Sequence, residues 1–180
     1  MLEHIRPSWD LYFMFIAQMV STRATCSRAH VGCVIVDSGT HYVLATGYNG
    51  VEAGAAHCPG VHLQHMCMRD GHCARSLHAE HNALNCAKAT GVDVRNATMY
   101  VTHMPCVDCA GMIIKAGVKR VVYAAHYRPN PLALQYLSEA DVTIERHASL
   151  PQPCIRALHK MLQVLTAVEK LAKHIRGILQ

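Results

Sequence analysis

Apolar positions change their spacing from one stretch of the chain to the next, and the spacing predicts the elements. Trp9, Tyr12, Phe13, Ile16, Met19 and Val20 recur at helical intervals, and Ser8 after Pro7 is placed to cap the first turn. Val31-Gly32-Cys33-Val34-Ile35-Val36 is instead a β-branched run that ends on the turn signal Asp37-Ser38-Gly39. His41 to Gly47 reads as the returning strand of a hairpin. A loop rich in Gly, His and Cys follows, from Tyr48 to Arg75. Loops this long in a compact domain are usually functional or tied down by something.

The second half alternates. His78 to Thr90 is an Ala-rich helix stopped by Gly91, and Cys106 to Ala116 is another, stopped by Gly117. Thr98–Thr102, Arg120–Ala124 and Val142–Arg146 read as strands, with a helix over Leu132–Ala140. Alternating strands and helices imply a largely parallel region, while the front hairpin must be antiparallel, so the sheet is mixed. Pro151 and Pro153 punctuate the junction to a last segment. There Leu158, Leu162, Leu165, Val168, Ala172, Ile175 and Leu179 recur at three or four residues, an amphipathic helix. The expected organisation is a domain over residues 1–150 and a C-terminal helix over 151–180 that packs on its own domain or makes a subunit contact. Membrane or nucleic-acid binding through Lys160, Lys170, Lys173 and Arg176 is the lesser alternative.

Composition narrows the class. With 180 residues and 51% hydrophobic side chains, one globular core is expected. No apolar run reaches the eighteen or so residues of a membrane span, and Met1 to Pro7 shows no signal pattern, so a cytoplasmic protein is expected. The net charge of +5 is modest and scattered until the last helix, which argues against a nucleic-acid partner. Nine Cys and fourteen His are the unusual counts, and in a cytosolic chain they favour metal or catalysis over disulfides.

His78-Ala79-Glu80 opens one helix and Pro105-Cys106-Val107-Asp108-Cys109 opens the next. Both helix starts should lie at one edge of the sheet, where ligands bind in open α/β folds. Cys106 and Cys109 are three apart and share a helical face. One imidazole and two thiolates then converge on an ion, a ligand set that suits zinc. Three protein ligands leave a fourth position for water, the mark of a catalytic site, and zinc lowers the pKa of such a water to about 7. Glu80, two residues from His78, is placed to shuttle protons without binding the metal. A purely structural zinc module would not need Glu80.

These motifs, H-x-E with P-C-x-x-C, are those of zinc deaminases. Joined to Trp9 with Tyr12-Phe13-Met14, Thr25-Cys26-Ser27-Arg28, Gly47-Tyr48-Asn49-Gly50, His57-Cys58, His72-Cys73, Tyr100-Val101-Thr102 and Val121-Val122-Tyr123, they make residues 8 to 146 resemble the deoxycytidylate deaminase family of the cytidine deaminase superfamily. The resemblance implies a three-layer αβα fold with a five-stranded mixed sheet, here extended by the C-terminal helix, and assembly as a homo-oligomer, commonly a hexamer. It implies hydrolysis of dCMP to dUMP and ammonia, with a modified dCMP or another cytosine nucleoside or nucleotide as the alternative. Asn49 and Ala79 would contact the substrate, and Ser27, Arg28 and Tyr127 its phosphate. It also implies dCTP and dTTP as effectors near Gly47, Tyr48 and Gly50, with Mg2+ accompanying dCTP. Some relatives carry a second, structural zinc in the long loop. Cys26 and Cys58 fit those ligand positions best, with His72 and Cys73 for the remainder and His57 and Cys67 as rivals. Cys33 and Cys86 read as small buried residues, and Cys154 has no assignment.

Overall fold

The computed structural model describes residues 6–26, 28–52, 54–57, 68–69, 72–126, 131–147 and 152–178. Helix α1 spans Trp9–Ser21, and the Leu11 N–H donates to the Ser8 hydroxyl at 3.2 Å, so the predicted cap forms. Strand β1 spans Gly32–Val36 and β2 spans Val43–Tyr48. The returning strand starts two residues later than the sequence suggested. The Asp37 carboxylate accepts the N–H groups of Gly39 (3.1 Å) and Thr40 (2.6 Å), and His41 takes a left-handed φ of 61°, which extends the turn. The long loop contains a short ladder, β3 (Met68–Arg69) against β4 (His72–Cys73). Then come α2 (Ala79–Thr90), β5 (Thr98–His103), α3 (Val107–Ala116), β6 (Arg120–Ala125), α4 (Pro131–Glu139), β7 (Thr143–Arg146) and α5 (Gln152–Ile178). Gly91 and Gly117 end α2 and α3 with φ of 70° and 77°, as their positions after the last apolar residues required.

The sheet order is β2-β1-β5-β6-β7. Strand β1 is antiparallel to both β2 and β5, while β5, β6 and β7 are mutually parallel. Four strands therefore run one way and β1 alone runs back. Alternate residues of each strand feed two cores. Cys33, Ile35, Met99, Val101 and Val121 face α2, α3 and α4. Val34, Val36, Tyr100 and Val122 face Phe13, Met14 and Ala17 of α1. This is the three-layer arrangement, and each large side chain withdrawn from water contributes about 1.5–3 kcal/mol.

Two glycines set the layer spacing. A Cβ on Gly32 would lie 2.0 Å from the Ala17 carbonyl oxygen of α1, and one on Gly47 would lie 2.3 Å from the Ala79 carbonyl oxygen of α2. At both points helix backbone sits directly on strand backbone. On the α1 face, Trp9 stacks on His41 with ring centroids 4.3 Å apart. Nearby, Arg120 grips Asp10 through two bonds of 2.8 and 2.9 Å and Glu145 at 2.6 Å, while the Tyr100 hydroxyl donates to Asp10 at 2.8 Å.

Contacts group the chain into two compact units, Met1–Ala148 and Ser149–Gln180. Helix α5 begins earlier than the apolar repeat indicated and includes Pro153. Proline is tolerated in a first turn, where its missing N–H has no intrahelical role. Cys86 corrects the sequence reading: it is exposed on α2, because Ala83 and Ala87 hold the inward face of that helix. Among the described residues no helix is long and apolar enough to cross a membrane.

Candidate active site

Because β1 is reversed, β2 and β5 end at the same edge of the sheet, and the start of β1 lies between them. Helices α2 and α3 both begin at that edge. His78 is the N-cap of α2 and Cys106 the N-cap of α3, each in an extended backbone conformation. His78 Nδ1 lies 3.3 Å from Cys109 Sγ and 3.4 Å from Cys106 Sγ. All three ligand atoms fall within 4.8 Å of one another, the one such cluster among the described residues. Around a tetrahedral zinc with Zn–N near 2.05 Å and Zn–S near 2.3 Å, N···S separations of about 3.6 Å are required. The donor set and its spacing therefore fit zinc with little movement, and Nδ1 is the nitrogen that faces the ion.

Electrostatics agree with metal-ligand chemistry. The Cys106 thiol is held down to about 3 by hydrogen bonds from Cys109 and then His78, against burial, which raises it. His78 is raised to about 9, chiefly by that hydrogen bond to Cys106. Cys109 is pushed well up by Cys106 and by burial, so one thiolate is favoured before the other. A divalent cation replaces these shared protons and stabilises both thiolates.

Glu80 sits in the first turn of α2 and is 4% exposed. Burial raises its pKa above the ordinary carboxylate value, against weaker opposing pulls from its own backbone N–H and from His78. A carboxyl in that state can hold a proton and release it within the site.

A pocket at this edge is lined by His78, Ala79, Glu80 and Cys106 together with Asn49 from the end of β2 and Arg28. The Asn49 side chain is anchored at two points: its Oδ1 accepts the Val31 N–H at 2.7 Å and its Nδ2 donates to the Ala29 carbonyl at 2.8 Å. One amide hydrogen and one lone pair remain for a ligand. Arg28 is exposed, with Nη1 3.3 Å from Met68 Sδ. Cys26 and Cys73 also line the pocket. His72 belongs to β4, and His57 is exposed. Ser27, Cys58, Cys67 and Tyr127 lie outside the described residues.

Gly47, Tyr48 and Gly50 fall elsewhere. Gly47 is spent on the close approach of α2, Tyr48 accepts from Asn82 at 2.7 Å through its carbonyl, and Gly50 exchanges backbone hydrogen bonds with Leu77 at 2.8 and 3.1 Å. None of the three lines the pocket. Sequence reasoning missed Val31, Ser76, His103 and Met104 as pocket walls. His103 and Met104 stand at the C-terminal end of a strand, the position where α/β folds gather ligand contacts, and that rule was the available signal. Burial pushes the His103 pKa down, which favours the neutral ring.

Residues 7–125 match the family described as the cytidine and deoxycytidylate deaminase zinc-binding region. The chain belongs to this family. Among similar proteins, ComE operon protein 2 of Bacillus subtilis is 44% identical over 142 residues, which is 78% of this chain and 72% of that protein. The deoxycytidylate deaminase of Saccharomyces cerevisiae is 37% identical over 158 residues, 84% of this chain but 48% of that protein, so the chain spans about half the yeast relative. The crystal structure of dCMP deaminase from cyanophage S-TIM5 in complex with dCMP and dUMP superposes with a TM-score of 0.66 at 32% identity. That match covers 80% of this chain and 100% of the phage chain.

Proposed function

We propose that this chain is a zinc-dependent hydrolase that converts dCMP and water to dUMP and ammonia, the dUMP feeding thymidylate synthesis. The observation that carries the reading is the meeting of His78, Cys106 and Cys109 with the buried Glu80 in one pocket. The match over the whole length of a dCMP deaminase crystallised with dCMP and dUMP supports the substrate. Zinc, when bound by the three ligands, lowers the pKa of a water to about 7. Glu80 would take one proton from the attacking water and give it to the ring nitrogen of the base, then take the second from the hydroxyl formed at C4 and pass it to the amino group, which leaves as ammonia as the C4 carbonyl forms. The first-turn N–H of Ala79 has no intrahelical acceptor and suits the carbonyl of the base. The remaining amide hydrogen and lone pair of Asn49 suit the sugar or the base edge.

The phosphate falls to Ser27, Arg28 and Tyr127, since a charge-assisted bond contributes about 1.5–3 kcal/mol. Cys26, Cys58, His72 and Cys73 hold a second, structural zinc in this reading, supported by Cys26 and Cys73 both lining the pocket. An oligomer, hexameric by family habit and cytoplasmic, with dCTP (with Mg2+) and dTTP acting near Gly47, Tyr48 and Gly50, completes the proposal. Residues 1–150 would form the deaminase domain and 151–180 the appended helix. The test is ammonia release from dCMP, CMP and deoxycytidine under one condition. A clear kcat/KM preference for dCMP is expected, and a preference for deoxycytidine overturns the nucleotide reading. Metal analysis should return two zinc ions per chain; one alone, unaltered in Cys26→Ser, removes the second site.

A further inference from the structure

Helix α5 presents an apolar stripe that nothing described above uses. Met161, Val164, Leu165, Val168 and Leu171 follow one another at three, one, three and three residues, which places them on one face. Each is at least half exposed, from 50% for Met161 to 59% for Leu171. Met161, Val168 and Ile175 repeat at seven residues, as do Val164, Leu171 and Ile178. This is the heptad spacing of helices that pack side by side.

The size of the stripe points to a protein occupant. Its five exposed side chains leave roughly 500 Å² of apolar surface, near the top of the range for the largest patch on a monomer. The helix has 27 residues, a length of about 40 Å. Two such stripes face to face would bury about 1,000 Å² in total, the lower limit for a specific interface. Residue chemistry then separates the possible occupants. The stripe itself carries no charged residue, while Lys160 and Arg176 flank its two edges, each about 80° round from its centre. Two such faces can meet with these cations left at the rim. An anionic lipid surface would use flanking cations together with aromatic side chains, and residues 152–178 contain no Trp, Tyr or Phe.

We propose that the Met161–Leu171 stripe of α5 is a self-association surface that packs against the same stripe of a second copy of this chain. The contact belongs to a segment beyond the family match at residues 7–125.

Sedimentation velocity on the full chain across a micromolar concentration series tests this. Val168→Glu with Leu171→Glu should yield a particle at least about twofold lighter than wild type at equal concentration, with ammonia release per chain unchanged. Lys170→Glu on the opposite face should sediment as wild type. Val164→Ala with Leu171→Ala, which raises helix propensity, guards against simple unfolding of α5. It should still move the association midpoint upward by about tenfold or more. Identical masses for wild type and both stripe variants overturn the proposal. So does wild-type cosedimentation with phosphatidylserine vesicles that Val168→Glu abolishes while particle mass stays constant, which would assign the stripe to a lipid surface.

Discussion

Two carboxylates in this molecule, Glu80 and Asp10, have been given opposite surroundings. Glu80 is buried at the edge where α2 and α3 begin, with thiols and an imidazole for neighbours, and burial raises its pKa. Asp10 lies on the other face of the sheet, gripped by both terminal nitrogens of Arg120, and is lowered to about 2. Asp10 also accepts from Tyr100, while Arg120 holds Glu145 on its other side. Every member of that network has a partner of opposite charge or a hydrogen bond, which is how a structural carboxylate is stabilised. Glu80 has no arginine or lysine to hold it ionised among its pulls. A carboxyl kept that way serves proton transfer at some cost to stability.

The contrast can be broken at several points. Glu80→Gln is expected to cut turnover at least about a hundredfold, the low end of general acid–base effects. Its zinc content should be unchanged, and it should melt no lower than wild type, because an ionisable group has left a buried position. Near-normal turnover, read as ammonia release, would dissolve the distinction between the two carboxylates. Gly47→Ala should lower stability by about 2 kcal/mol, since the new methyl group meets the backbone of α2. Denaturant unfolding reads this directly. If stability holds and only a nucleotide effector response changes, Gly47 belongs to an effector pocket after all.

Smaller effects sharpen the comparison. Arg28→Ala should reduce the advantage of dCMP over deoxycytidine about tenfold, one charge-assisted bond's worth at an exposed position. Equal slowing of both substrates would make Arg28 a structural residue. Asp10→Asn should leave turnover within about twofold and lower stability by about 1 kcal/mol, given that the ion pair is partly exposed. The pH signature follows from the depressed pKa. The Asp10 contribution is full above the unfolded value near 3.8 and is lost as pH falls through about 2. Melting temperature measured between pH 5 and 2 should therefore drop more steeply for wild type than for Asp10→Asn.

Much of this architecture was legible in the sequence, for identifiable reasons. Helix ends at Gly91 and Gly117, the cap at Ser8 and the β-branched run of β1 are local signals, and each formed as expected. His78, Cys106 and Cys109 were legible because two short motifs fix their place on helix starts, and the parallel order of β2 and β5 does the rest. What stayed hidden depends on contacts between distant segments. Asp10 and Arg120 are 110 residues apart, and no spacing rule links them. Gly32 and Gly47 read as ordinary strand residues until helix backbone is seen resting on them. Cys86 looked buried because cysteine usually is, whereas the alanines on either side of it took the inward face.

The stacking of Trp9 on His41 has a practical consequence. Trp9 is the chain's single tryptophan, so indole emission has one source. That source sits on α1 at the β1–β2 turn, on the side of the sheet away from the thiol cluster. Fluorescence therefore follows the docking of the α1 layer against the hairpin and is largely blind to events at the metal ligands. A chain stripped of metal that keeps its wild-type emission spectrum still has that layer closed. One that shifts to the red on stripping has come apart well beyond its active site, and a cuvette experiment tells the two apart.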